Sequence, residues 1–157
     1  MQQDLAASPD RTLTVSRLVD APRDLVFSVF TEPGHIDRWW GPNGFRNETH
    51  GMEFAQGGLW RYTMHGPDGK DWPNWIRYTL IERPVRIVYH HGGEMNEPAH
   101  FEGRITFEEK GSQTLVTLSL VFPTAEARDA TLKYGAVEGG NQTLARLAAY
   151  VEERRRA

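Results

Sequence analysis

Two periodicities divide this chain. In one set of segments apolar and polar residues alternate, which predicts strands. In another set apolar residues recur at three- and four-residue spacing, which predicts helices. Leu13, Val15 and Val19 share one side of a strand over 12–20. The period then changes: Leu25, Val26, Val29 and Phe30 make a helical stripe behind Pro22, a residue tolerated in a first helical turn. Thr31-Glu32-Pro33 opens a second short helix that ends near Trp39. A strand begins about Phe45, Gly57-Gly58 forms a turn or bulge, and Trp60, Tyr62 and Met64 then alternate with Arg61, Thr63 and His65. Gly66-Pro67-Asp68-Gly69 has turn chemistry. Further strands are predicted over 75–82, 85–91, 100–109 and 114–122, with Arg83-Pro84 breaking the first two apart and a tight turn at Lys110-Gly111-Ser112. Thr124 opens a helix over 124–135, and a long helix runs from 136 to about 153.

The order is therefore β-α-α followed by six strands and two helices. It predicts an α+β fold, in which an antiparallel meander joins the first strand and one long helix covers its apolar face. That helix is uneven. Leu144, Leu147, Ala148 and Val151 form an apolar stripe, but its backward extension reaches Val137 and Asn141 beside Gly139 and Gly140. Interiors are close-packed, so a face that is bulky at one end and small and polar at the other predicts a cavity.

Composition narrows the function classes. A formal charge of -3 without a long Lys/Arg run argues against nucleic acid. Without cysteine there is no thiolate nucleophile, disulfide framework or Cys-based metal site. No apolar run is long enough to span a membrane, and MQQDLAASPD lacks the pattern of a signal peptide. The expectation is a cytoplasmic protein, monomer or homodimer, with a flexible tail over 1–10 and one domain over 11–157.

Candidate chemistry is sparse. His90 and His91 are strand neighbours that point to opposite faces, so they do not chelate one metal together; His65 or His100 can approach one of them across the sheet. No metal site, catalytic residue or cofactor is expected, and Glu48, Glu53 and Glu94 are general acid or base candidates only as any cleft carboxylate is. Gly57-Gly58 lacks the strand-to-helix context of a phosphate loop. The aromatic face is more informative: Trp60, Tyr62, Tyr78, Tyr89 and Phe101 read individually as core, but opposite Gly139–Asn141 they suggest an apolar pocket with a few polar anchors. Trp39 and Trp40 diverge by about 100° on a helix, which makes one of them core and the other pocket or surface.

The segment DAPRDLVFSVFTEPGHIDRWWGP resembles the opening motif of the activator of heat-shock protein 90 ATPase homologue (C-terminal domain-like) family, within the SRPBCC or START-like superfamily. Ala21, Pro22, Arg23, Val26, Phe27, Pro33, Trp39, Trp40, Gly41 and Pro42 carry the likeness. Gly57-Gly58 before Trp60, the turn 66–69, Pro84 ahead of Arg86-Ile87-Val88-Tyr89, and Glu138-Gly139 with Leu144 and Leu147 follow in the family's order. The resemblance spans about residues 12–152 and implies a helix-grip fold: a curved antiparallel sheet around the C-terminal helix, over a hydrophobic cavity. Where the family usually has Trp after Glu-Gly, this chain has Gly140. The exchange leaves a void, a ligand, or a compensating sheet aromatic such as Trp60 or Trp75. Gly140 is expected to face a pocket bordered by Trp60, Tyr78 and Tyr89.

The leading functional expectation is a small hydrophobic ligand, aromatic or lipid-like, bound between sheet and helix. Its candidate lining is Trp40, Phe45, Trp60, Tyr62, Met64, Trp75, Tyr78, Tyr89, Phe101, Leu118, Val137, Gly140, Asn141 and Leu144. The resemblance also implies two alternatives on the same fold: a chaperone-interacting, stress-response module, and a cyclase- or dehydratase-like enzyme.

Overall fold

Seven antiparallel strands form one sheet in the order β1-β7-β6-β5-β4-β3-β2 in the computed structural model, which describes residues 9–156. They are β1 (Thr12–Val19), β2 (Arg46–Met52), β3 (Leu59–His65), β4 (Asp71–Glu82), β5 (Arg86–Gly92), β6 (Phe101–Lys110) and β7 (Gln113–Val121). Two short helices, α1 (Arg23–Ser28) and α2 (Pro33–Ile36), follow β1; α3 (Ala125–Lys133) and α4 (Ala136–Arg156) close the chain. This is the meander joined to β1 that the periodicities predict. Most of the expected tail, residues 1–8, lies outside the described residues; Pro9–Arg11 make a 3-10 turn, and Arg11 donates to the Phe122 carbonyl at 3.0 Å.

Boundaries moved where local chemistry outweighed pattern. β4 starts at Asp71 rather than 75. Pro73 hides the earlier start, because it cannot donate to a ladder; β5 pairs only as far as Trp75, so Pro73 sits where that side of β4 is an edge. α2 is one turn only, with Glu32 rather than Thr31 at its N-cap, and the Thr31 hydroxyl turns back to the Ser28 carbonyl at 2.8 Å. Thr124 caps α3 as expected, accepting from the Ala127 N–H at 3.0 Å.

Alternation holds through the sheet. Trp60, Tyr62, Ile76 and Tyr78 are buried on the inner face while Arg61 and Arg77 are exposed. Two aromatic-glycine pairs sit across neighbouring strands. On the inner face Tyr89 lies over Gly103, where a Cβ would overlap its ring; on the outer face Trp75 lies over Gly92 in the same way. The glycines make room for rings that cover backbone the glycines themselves cannot.

α4 lies along the edge strand β1, against its inward side chains such as Val15. Leu144, Leu147, Ala148 and Val151 are buried as the stripe requires. At the C-terminal end Arg155 pairs with Asp20 at 2.9 Å, and Glu152 accepts from the Asp20 N–H at 3.0 Å. The small, polar half is placed differently from expectation. A Cβ on Gly140 would point at Val15 of β1, 3.1 Å from its Cγ2, rather than toward Trp60, Tyr78 and Tyr89. Gly140 thus permits close approach of α4 to β1. Val137 and Asn141 are exposed, because the inward face of α4 runs back from Leu144 through Gly140 to Ala136, which packs on the core, and leaves those two on the solvent side.

The middle of the inner face is covered by the segment between β1 and β2. Phe30, Ile36 and Trp40 face Trp60, Ile76, Tyr78, Ile87, Tyr89 and Ile105. Phe27 and Phe30 each meet Phe107 edge to face at 5.1 Å, extending that cover toward β6.

Packing of α4 on β1 makes a directional test. Gly140→Trp is expected to overpack that contact and lower stability by about 1 to 3 kcal/mol, and Leu147→Ala to lower it by about 2 to 5 kcal/mol by opening a cavity. Urea midpoints check both; a raised midpoint for Gly140→Trp would mean that the helix face is rotated from this description.

Candidate functional site

The interior aromatic cluster is built on Trp40 and three tyrosines. Tyr62 stacks on Trp60 at 3.9 Å, as two residues on the same strand face can. Trp40 meets Trp60 at 5.8 Å and Tyr89 at 6.4 Å, both edge to face, and its Nε1–H donates to the Tyr62 hydroxyl at 3.0 Å. Tyr78 meets Phe54 edge to face at 4.9 Å, and its buried hydroxyl has no hydrogen-bond partner. Desolvation holds all three phenols above their ordinary range, and proximity adds to it: ionising Tyr89 would oppose ionisation of Tyr62 and Tyr78. The phenols are therefore neutral hydrogen-bonding groups.

Two polar devices hold this wall. Asp37 accepts from the Thr49 hydroxyl at 2.5 Å, and Thr49 accepts from Trp60 Nε1 at 3.0 Å, which fixes the Trp60 ring. Burial pushes the Asp37 carboxyl up, opposed by its bonds to Thr49. Arg146 of α4 reaches across to the Trp-Trp-Gly-Pro turn, donating through Nη1 to the Gly41 carbonyl at 2.9 Å and the Pro42 carbonyl at 2.8 Å. Asn47 donates to the Trp40 carbonyl at 2.7 Å. Sequence pattern placed Arg146 off the apolar stripe but had no signal for its partners, about a hundred residues away.

The candidate lining omitted Ile76, Ile87 and Ile105, which border the gap beside Trp40, and the inner-face residue His91. His91 stacks on Phe101 at 4.7 Å, and its Nε2 meets Asn74 Oδ1 at 2.8 Å. Asn74 uses its Nδ2 on the Trp72 carbonyl at 2.9 Å, so Oδ1 is the atom facing the imidazole and Nε2 carries the proton. Nδ1 is then a bare lone pair, buried and without a partner. Burial pushes the imidazole down to about 4, with the nearby His100 ring at 6.0 Å adding to the effect. His100 does approach, as the sequence allowed. His65 does not: it is pinned by Asp71 at 2.7 Å and Glu48 at 3.0 Å, which raise it.

The other candidates divide. Trp39 is the core member of the pair, buried with its Nε1–H on the Val29 carbonyl at 3.2 Å, and Trp40 is the pocket member. Leu118 and Leu144 border a second gap beside Trp40. Phe45 and Met64 pack around Gly41 at the rim. Trp75 is on the outer face, its Nε1–H on the Glu94 carbonyl at 3.0 Å, because it neighbours the inward Ile76. Gly140, Val137 and Asn141 stand apart from the cluster for the reasons given above. The two interior gaps, one among Trp40, Trp60, Tyr78 and Tyr89 and one among Trp39, Trp40, Leu118 and Leu144, measure about 10 Å³ each. No His/Asp/Glu group among the described residues has the arrangement of a metal site.

His91 makes stability pH-dependent with a defined sign. Between pH about 4 and 6.5 the unfolded chain protonates this histidine while the folded one keeps it neutral. The unfolded state then binds more protons, so stability falls as pH drops through that window, by up to about 3 kcal/mol, and is fully present above it. His91→Phe should flatten this part of the urea-midpoint profile; an unchanged slope would show that His91 is not the group responsible.

Comparison with known proteins agrees with the geometry. A solution structure from Arthrobacter aurescens superposes with a TM-score of 0.84 at 23% identity, over 92% of this chain and 87% of that one. A crystal structure from Nitrosomonas europaea gives 0.86 at 20% identity, over 96% and 99%. The AHSA1 protein from Silicibacter pomeroyi gives 0.70 at 18% identity over 91% and 99%. No match to a curated protein is found. No helix among the described residues is long and apolar enough to cross a membrane. The family model described as Activator of Hsp90 ATPase homolog 1-like protein matches residues 20–152, across both the Trp-Trp-Gly-Pro turn and the long helix that Arg146 ties together, and the chain belongs to that helix-grip family.

Proposed function

We propose that the protein binds a small, uncharged, largely aromatic molecule between the inner sheet face and the helical layer. The observation that carries this reading is unpaired polarity on an otherwise apolar face: the Tyr78 hydroxyl, beside the gap at Trp40, is buried without a partner, as is His91 Nδ1 farther along the same sheet face. An unsatisfied buried polar group costs roughly 1 to 3 kcal/mol, and a ligand that pairs with it recovers that cost. Neutral phenols and a neutral imidazole suit hydrogen-bonded neutral molecules and disfavour anions or cations, which would lose hydration without gaining a counter-charge. The reading places the protein in the cytoplasm, carrying or sensing such a compound.

The direct check is fluorescence titration of the purified protein with Nile red, with native mass spectrometry before and after organic extraction. Saturable binding at one site is expected, weakened by about five- to tenfold in Tyr78→Phe through loss of one hydrogen bond, with the free variant at least as stable as the parent. Absence of saturable binding, or equal binding by Tyr78→Phe, would count against the reading.

One observation favours a second reading, a chaperone-interacting module. Leu132, Tyr134 and Val137 are exposed within six residues at the junction of α3 and α4, with Tyr134 91% exposed, and clustered apolar surface is the mark of an interaction face. Binding of a purified chaperone that Tyr134→Ser abolishes, with Nile red binding intact, would support it.

A further inference from the structure

Trp40 takes up the room that a ligand of the interior would need. Its ring borders both 10 Å³ gaps. Phe30 and Ile105 border both as well, but they are buried, whereas Trp40 keeps part of its surface in solvent. In a close-packed interior, two gaps beside one partly exposed residue mark a group that fills its space incompletely and loses dispersion contacts on both sides. Besides its edge-to-face contacts with Trp39, Trp60 and Tyr89, the indole makes a single hydrogen bond, Nε1–H to the Tyr62 hydroxyl at 3.0 Å.

The backbone beneath it is held separately. Asn47 grips the Trp40 carbonyl at 2.7 Å, and Arg146 grips the next two carbonyls at 2.9 and 2.8 Å. None of these bonds involves the indole, so the side chain can turn outward while the chain stays in place. Its removal opens a space of the order of the apolar cavities of ~150 Å³ that hold benzene. The exposed walls are aromatic, with the Tyr62 hydroxyl at one side and the unpaired Tyr78 hydroxyl at another. The residues bordering the two gaps include no charged side chain.

We propose that Trp40 is a built-in competitor for the pocket, and that the ligand is a planar bicyclic aromatic with one N–H or O–H donor, which replaces the indole and takes over its hydrogen bond to Tyr62. The inference rests on the ligand-binding reading above and sharpens it: the side chain now in the pocket shows the shape and polarity that the pocket accepts. A closed pocket lowers apparent affinity by the fraction of molecules that are open, so Trp40 sets the threshold concentration for binding.

The test uses the full chain, with 2-naphthol, indole and indene as probes; indene matches indole in shape but lacks the donor. In wild-type protein carrying 5-fluorotryptophan, with the Trp40 signal assigned through Trp40→Phe, saturating 2-naphthol should move the Trp40 ¹⁹F resonance to its solvent-exposed position. By calorimetry, Trp40→Ala should bind indole about tenfold more tightly than wild type. It should also prefer indole to indene by about fivefold, a preference that vanishes when Tyr62→Phe is added. Trp40→Leu serves in place of Trp40→Ala if the smaller residue does not fold. The proposal is overturned if 2-naphthol binds with the Trp40 signal unmoved, if removing the indole leaves affinity unchanged or weakens it, or if the indole preference survives loss of the Tyr62 hydroxyl. Nile red binding in the face of those results would leave the broader ligand-binding reading standing; no binding of any probe to wild type would overturn both.

Discussion

A guanidinium from the last helix fastened to the carbonyls of an irregular turn is the interaction on which this interior depends. The inner sheet face carries more aromatic surface than α4 covers, since α4 runs along β1 at one edge. The remainder is covered by Phe30, Ile36, Trp39 and Trp40, from a segment of two short helices and turns whose own bonds are local, such as Phe30 N–H to the Phe27 carbonyl and Trp40 N–H to the Ile36 carbonyl, and do not tie it to α4. Arg146 satisfies carbonyls that no helix or sheet claims, and it does so from a rigid 21-residue helix. Burial pushes its pKa down, yet a guanidinium remains charged, and a charge-assisted hydrogen bond is stronger than a neutral one. The segment is thereby tied to α4, with Trp40 against Trp60 and Tyr89.

Inside that frame, burial rather than charge sets the chemistry. Tyr62, Tyr78 and Tyr89 are held neutral by desolvation, as is His91. The polar atoms of the wall either pair with one another, as Trp40 does with Tyr62, or stay unpaired, as the Tyr78 hydroxyl and His91 Nδ1 do. Such a wall separates molecules by shape and by hydrogen-bonding capacity, while rejecting charge through its desolvation cost. Gly103 belongs to the same design: without a Cβ it lets Tyr89 lie flat across the strand, keeping the ring within reach of Trp40.

The difference at Gly140 shows how one helix position can change partners. A bulky residue there would meet Val15, and its absence brings α4 close to β1. The ring that fills the interior comes instead from the turn after α2. The interior is filled without an indole from the long helix, and by a side chain that is only partly buried.

Periodicity by itself determined the strand and helix order, the antiparallel meander and the inward set Trp60, Tyr62, Ile76 and Tyr78, because alternation and the 3.6-residue repeat are local consequences of backbone geometry. It also separated Trp39 from Trp40 and identified Thr124 as a cap, for the same reason. Only the tertiary structure decided which way Gly140, Val137 and Asn141 face, because the rotation of the first turns of α4 is fixed by their contact with Val15 of β1, which the helix's own repeat does not reveal. Asn74 and His91 became partners through strand pairing across a loop, and Arg146 found its carbonyls across more than a hundred residues. Contacts of that range leave no periodic trace in a sequence; they exist only once the sheet has set the distances between its strands.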